Sequence, residues 1–145
     1  MKKDETPIII EQKFQNSPES VWEAITDIHK MRQWYFENLP NFKPVIGFET
    51  QFEVHSGERV FPHRWKITEV IPSKKITYNW KYDGYPGDSF VTFELFPDND
   101  QTLLRLTTEV VEDFPQDIPE FRRESCIGGW NFFIQDRLKK YLEIT

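Results

Sequence analysis

From about residue 48 to residue 112 the chain alternates apolar and polar residues with a period of two, in runs separated by short turn sequences. No other feature limits the fold as strongly. In FETQFEV, Phe48, Phe52 and Val54 alternate with Glu49, Gln51 and Glu53. HRWKITEV sets His63, Trp65 and Ile67 against Arg64, Lys66 and Thr68. ITYNWKY sets Ile76, Tyr78, Trp80 and Tyr82 against Thr77, Asn79 and Lys81. VTFEL sets Val91, Phe93 and Leu95 against Thr92 and Glu94, and LLRLTTEV aligns Leu104, Leu106, Thr108 and Val110. The segments between them, SGER, IPSKK, DGYPGD and PDND, carry turn residues. Successive strand side chains point to opposite faces, so each run has one aromatic-rich face and one charged face. Short connections make the runs an antiparallel meander in a curved sheet with one wet side.

The apolar face of such a sheet needs a cover. Residues 8–14, IIIEQKF, predict a first strand. After it, Ser17 is placed to N-cap a helix with Pro18 at its first position, and Val21, Trp22 and Ile25 share a face. Asp27 is placed to cap a second short helix carrying Ile28, Met31 and Trp34. NLPNFKPVIG reads as loop. Near the C-terminus, Trp130, Phe133, Ile134, Leu138, Tyr141 and Leu142 recur at helical spacing, and the helix should run to about Leu142. Asp117 and Glu120 have the spacing of a capping box for its start. The order β-α-α-β5-α predicts an α+β fold. Gly128 and Gly129 lie inside this last helix, where each costs about 1 kcal/mol relative to alanine.

The 145 residues fit one domain, spanning 1–145, with residues 1–7 expected to be a flexible N-terminus. The apolar volume is concentrated in rings: 13 Phe, 5 Trp and 5 Tyr. Such rings fill a core or line a pocket. A net charge of −6 argues against binding a phosphate backbone, so no nucleic-acid partner is expected. Cys126 is the only cysteine, which excludes a disulfide framework and a cysteine-based zinc site within the chain. The opening MKKDETPIII has too short an apolar run for a signal peptide, and no segment reaches the length of a membrane span. A cytoplasmic address without membrane insertion is expected.

SPESVWEAITDIHKMRQWYF, with Val21-Trp22, Ala24 and Trp34-Tyr35, resembles the opening of the SRPBCC (START/Bet v 1-like) superfamily. It resembles most closely the Aha1-like branch, named after the C-terminal domain of the activator of Hsp90 ATPase. YNWKYDGYPGDSFVTFEL and GGWNFFIQDRLKKYLE resemble the same branch, so the likeness runs from about Ile8 to Glu143. It implies a helix-grip fold: a six-stranded sheet wrapped around the long C-terminal helix, with the two short helices closing one end. It also implies a cavity between sheet and helix for a lipid-like or aromatic small molecule.

Within that implied cavity the inward aromatics are ligand candidates: Phe52, Trp65, Tyr78, Trp80, Tyr82, Phe93, Trp130 and Phe133. Trp34, Val54, Ile67, Leu95, Leu106, Cys126, Gly129 and Ile134 complete the apolar wall. His63 and Thr108 are candidate polar contacts, with Gln12 on the first strand as a further one. For any single aromatic, core packing is the plainer role. As a group they favour a pocket, because inward Tyr hydroxyls and Trp N–H groups need polar partners. The glycine pair admits three readings: a bend or space beside the cavity, close packing, or a helix broken in two.

His29, His55 and His63 match no metal-ligand spacing, and neither metal nor cofactor is expected. The inward polar residues suffice to orient a ligand but form no recognisable catalytic constellation. Binding of a hydrophobic or aromatic molecule is therefore the leading expectation. A cavity-based enzyme of the polyketide cyclase or dehydratase type is the alternative. The branch name adds a third, a cofactor of the Hsp90 chaperone. In the eukaryotic co-chaperone this domain follows a separate N-terminal domain, which these 145 residues do not include.

Overall fold

The structure, a computed structural model, describes residues 1–144. Strand β1 (Ile8–Phe14) leads into helices α1 (Pro18–Thr26) and α2 (Ile28–Trp34). A meander follows: β2 (Glu49–Ser56), β3 (Arg59–Ile71), β4 (Lys75–Tyr82), β5 (Asp88–Asp98) and β6 (Gln101–Glu112). All pairings are antiparallel, in the spatial order β1-β6-β5-β4-β3-β2. β1 and β2 are thus the two edges. At about 4.8 Å per strand spacing, the connection between them must cross roughly 24 Å of sheet. Helices α1 and α2 and the loop up to Phe48 make that crossing and cover the apolar face.

The local signals explain the helices. The Ser17 hydroxyl accepts from the Ser20 N–H at 3.2 Å, and Pro18 opens α1. Asp27 ends α1 and caps α2, its carboxylate accepting from the N–H groups of His29 and Lys30 at 3.0 and 3.2 Å. The indole N–H of Trp34 donates to the Ala24 carbonyl at 2.8 Å and ties α2 to α1. Of the residues expected on the inner face of α1, Val21 and Ile25 are buried and Trp22 is half-buried against the core.

The strands are longer than their alternating runs. Ladder hydrogen bonds need no apolar side chains, so pairing continues to the turns, as from Asp98 to Gln101. Burial follows the expected parity: His63, Trp65 and Ile67 are buried, as are Trp80, Val91, Phe93, Leu104 and Leu106. The β2–β3 register runs unbroken from Glu49 to Ser56, with Pro62 paired opposite Glu53. The irregularity in β3 falls between Ile67 and Glu69.

The C-terminal helix departs from expectation at its start. Pro119–Phe121 form a 3₁₀ turn, and helix α3 (Arg123–Trp130) begins after it without a side-chain cap. The capping box at Asp117 and Glu120 is not formed, because the Glu120 carboxylate is drawn to the β2–β3 hairpin. There it accepts from Ser56 Oγ at 2.8 Å and faces Arg59 Nη1 at 3.4 Å. A π-helical stretch (Asn131–Leu138) and α4 (Lys139–Glu143) continue α3. Asn131 and Lys139 keep helical backbone angles at both junctions, so the helix is not broken in two. The expected flexible start is tied down at its first residue. Met1 is buried, its amino group donates to the Phe121 carbonyl at 2.6 Å, and its carbonyl accepts from the Phe114 N–H at 3.0 Å. The whole arrangement is the α+β helix grip.

Candidate functional site

A partly open cavity of about 170 Å³ lies between the sheet and the start of the C-terminal helix. Four adjacent strands build its floor from inward positions. β3 gives His63, β4 gives Trp80 and Tyr82, β5 gives Ser89 and Val91, and β6 gives Thr108. The helix supplies Ser125, Cys126, Gly129, Trp130 and Phe133, and the remaining wall comes from Met1, Phe36, Phe114 and Glu120. Ser125 and Gly129 are exposed and mark the mouth, with half-buried Glu120 beside them.

Only part of the expected wall lines the cavity, because Tyr35 fills the neighbouring space. Tyr35 sits at the end of α2, its ring stacked on Trp34 at 4.5 Å and on Trp65 at 5.4 Å. Its hydroxyl meets that of Tyr78 at 3.1 Å in the buried core. Trp34, Phe52, Trp65, Ile67, Tyr78, Phe93, Leu95, Leu106 and Ile134 are accordingly buried in packed core and do not line the cavity. Val54 is half-buried and borders a shallow surface depression with Phe36 and Tyr35. The cavity brings together His63, Trp80, Tyr82, Thr108, Cys126, Gly129, Trp130 and Phe133. Gln12 is not among its lining; its side-chain amide turns to the Lys13 carbonyl.

Sequence reasoning missed Ser89, which strand parity would have found by extending β5 two residues before Val91. It also missed Phe36 and Phe114. Phe114 packs where Gly87 has no side chain: a Cβ there would overlap the ring, and Gly87 has a φ of +118°. Only a long-range contact reveals that pairing.

Apart from the Met1 ammonium and the Glu120 carboxylate, the polar groups of the cavity are uncharged. His63 places Nδ1 2.9 Å from the Phe61 carbonyl, which can only accept. Nδ1 therefore carries the proton and Nε2 is left with a lone pair. Burial lowers the His63 pKa to about 4, so the ring is neutral at pH 7. Burial also raises the Tyr82 hydroxyl well above its usual range and the Cys126 thiol to about 11. Cys126 is thus a thiol at pH 7, not a nucleophilic thiolate. Ser89 Oγ donates to the Trp80 carbonyl at 2.7 Å. Two buried polar atoms of the lining meet no protein hydrogen-bond partner: Trp80 Nε1 and Thr108 Oγ1. The Trp80 indole lies close enough to the Tyr82 hydroxyl to favour its ionised form slightly, without closing a hydrogen bond of ordinary geometry. Trp65 Nε1 is also unpartnered but lies outside this cavity.

The glycine pair is resolved in part. A Cβ built on Gly128 or Gly129 meets nothing within 4 Å, so neither glycine serves close packing. Gly129 borders the cavity mouth and Gly128 does not.

Residues 15–143 match the family described as activator of Hsp90 ATPase homolog 1-like protein. The chain belongs to that family. Solved structures with the same fold include protein CV1439 from Chromobacterium violaceum, 22% identical with a TM-score of 0.79 over 94% of this chain and 96% of that one. The Aha1 dimer from Colwellia psychrerythraea is 22% identical, with a TM-score of 0.72 over 97% and 98% of the two chains. DynU16, from the dynemicin biosynthetic locus, is 21% identical with a TM-score of 0.76, and the match covers 96% of this chain and 48% of that one. A comparison with curated proteins finds no match. At these identities the structural likeness carries the helix-grip fold of the family and no particular activity. Among the described residues, no helix is long and apolar enough to cross a membrane.

Proposed function

We propose that this protein binds a small, largely apolar aromatic molecule in the cavity between the sheet and the C-terminal helix. The observation that carries the proposal is the cavity itself: about 170 Å³, walled by the rings of Phe36, Trp80, Tyr82, Phe114, Trp130 and Phe133. An apolar cavity of about 150 Å³ is large enough to hold benzene, whereas drug-sized ligands use roughly 300–1,000 Å³. The volume therefore favours a single ring over a long acyl chain, which narrows the lipid-like expectation. DynU16 shares the fold and belongs to a biosynthetic locus, which supports a small-molecule role for this chain too.

Binding is favoured over catalysis because the titratable groups are poorly poised. A general acid or base works best with a pKa near the working pH. His63 lies at about 4 and Cys126 at about 11, both displaced by burial, and Tyr82 is displaced upward as well. Thermal melts test the reading. Toluene at a hundred times its Kd should add about 2.7 kcal/mol and raise the melting temperature by roughly 5–10 °C. Palmitate should add nothing. A rise with palmitate and none with any single-ring aromatic would refute the proposal.

A further inference from the structure

The two unpartnered atoms of the cavity say more about the ligand than its volume does. Trp80 Nε1 and Thr108 Oγ1 are both buried, both in the lining, and without a hydrogen bond to the protein. An indole N–H can only donate, and a threonine hydroxyl can donate and accept. His63 adds an acceptor, since its Nδ1–H is committed to the Phe61 carbonyl and its Nε2 lone pair is left over. These groups stand on different strands, β4, β6 and β3. Trp80 pairs with Ser89, and Thr108 pairs with Val91, so β5 lies between the two strands that carry them. The floor thus presents a donor and an acceptor among aromatic walls.

Charge is nearly absent from this surface. Among the described lining residues, the charged groups are the Glu120 carboxylate, engaged with Ser56 and Arg59, and the Met1 ammonium, engaged with the Phe121 carbonyl. An anionic ligand would leave water to face the Glu120 carboxylate, a costly exchange in a buried site, and the Met1 ammonium, held by the neutral Phe121 carbonyl, is the cation of the lining that could offset it.

We infer that the ligand is a neutral single-ring aromatic bearing a hydroxyl-type group that both accepts from Trp80 and donates to the His63 or Thr108 side, with phenol as its simplest member. The inference rests on the cavity-binding proposal. In a purely apolar cavity phenol should bind worse than toluene, because its hydroxyl gives up water and gains nothing. Here the buried donor and acceptor offset that loss.

Calorimetric titrations of toluene, phenol, anisole and benzoate at pH 7 test it, on the wild-type chain and on Thr108→Val and Trp80→Phe. Phenol should bind at least as tightly as toluene, and benzoate at least about tenfold more weakly than phenol. Trp80→Phe should lower the phenol-to-toluene affinity ratio roughly three- to tenfold, the worth of one hydrogen bond, and Thr108→Val should do the same if Thr108 rather than His63 takes the ligand proton. Anisole accepts but does not donate, so Trp80→Phe should weaken it too. If toluene binds and phenol binds more weakly, with a ratio unchanged in both variants, the polar ligand class is wrong and the cavity proposal stands. If benzoate binds tightest, the neutral class is wrong. If no aromatic binds the folded wild-type protein, the cavity proposal fails and this inference with it.

Discussion

Trp80 of β4 and Trp130 of the C-terminal helix meet edge to face, ring centroids 5.5 Å apart and planes at 71°. This contact closes the cavity on one side, sheet against helix, with both rings in its wall. Past it, Trp130 reaches Phe93 at 5.9 Å and Tyr35 at 6.0 Å, in the packed core. The cavity is therefore the residue of a nearly filled interface. Small changes in filling should move stability and binding separately.

Gly128 and Gly129 offer the cleanest separation. Alanine at either should raise stability by up to about 1 kcal/mol, since the added methyl meets nothing and helix propensity improves. Gly128→Ala should leave toluene affinity unchanged. Gly129→Ala should lower it, because Gly129 borders the mouth. Denaturant melts and titrations on the two variants check both expectations.

Gly87→Ala should behave in the opposite way. The methyl would overlap the Phe114 ring, and the φ of +118° suits only glycine. Stability should fall by at least about 1–3 kcal/mol, the cost of overpacking. A change within 0.5 kcal/mol in a urea melt, on the order of measurement error, would show that Phe114 does not close the cavity as described.

His63 should make the fold acid-sensitive. Its pKa is about 4 in the folded chain, against 6.5 for an exposed histidine. Above pH 6.5 both folded and unfolded chains hold it neutral, and stability is complete. Between 6.5 and 4 the unfolded chain takes a proton that the folded chain refuses, so stability falls as pH falls. Below 4 the full contribution, at most about 3 kcal/mol, is lost. His63→Gln should flatten the stability curve between pH 6.5 and 4. An equally steep curve in that variant would assign the acid sensitivity elsewhere.

The Tyr35–Tyr78 hydroxyl pair, 3.1 Å apart, should be coupled. Either single Phe variant leaves a buried hydroxyl unpartnered and should cost about 1–3 kcal/mol. The double variant should cost less than the two singles together. Additive losses in a double-mutant cycle would show that the two hydroxyls are satisfied independently.

The sheet was legible because each inward residue repeats every second position, and burial on one face enforces that parity. His63, Trp80 and Thr108 could be placed inside for this reason alone. The size of the cavity could not be read in the same way. Tyr35 follows a short helix, and nothing local says that its ring will stack on Trp34 and occupy the middle of the apolar face. The helix start was misread at Glu120 because its partners, Ser56 and Arg59, lie some sixty residues away. Local capping rules weigh only the neighbours along the chain. Phe114 and Gly87 illustrate the same limit, a fit between segments with no signature in either.

The most direct test of a ligand site between sheet and helix is the set of five indole N–H resonances, recorded while toluene is titrated into the protein. Trp80 and Trp130 line the cavity and should shift together and saturably. Trp65, one ring removed at 5.0 Å from Trp80, should move less. Trp22 and Trp34, outside the lining, should stay in place. Saturable shifts at Trp22 with Trp80 and Trp130 unmoved, or no shifts at all in the folded protein, would contradict a cavity at this position.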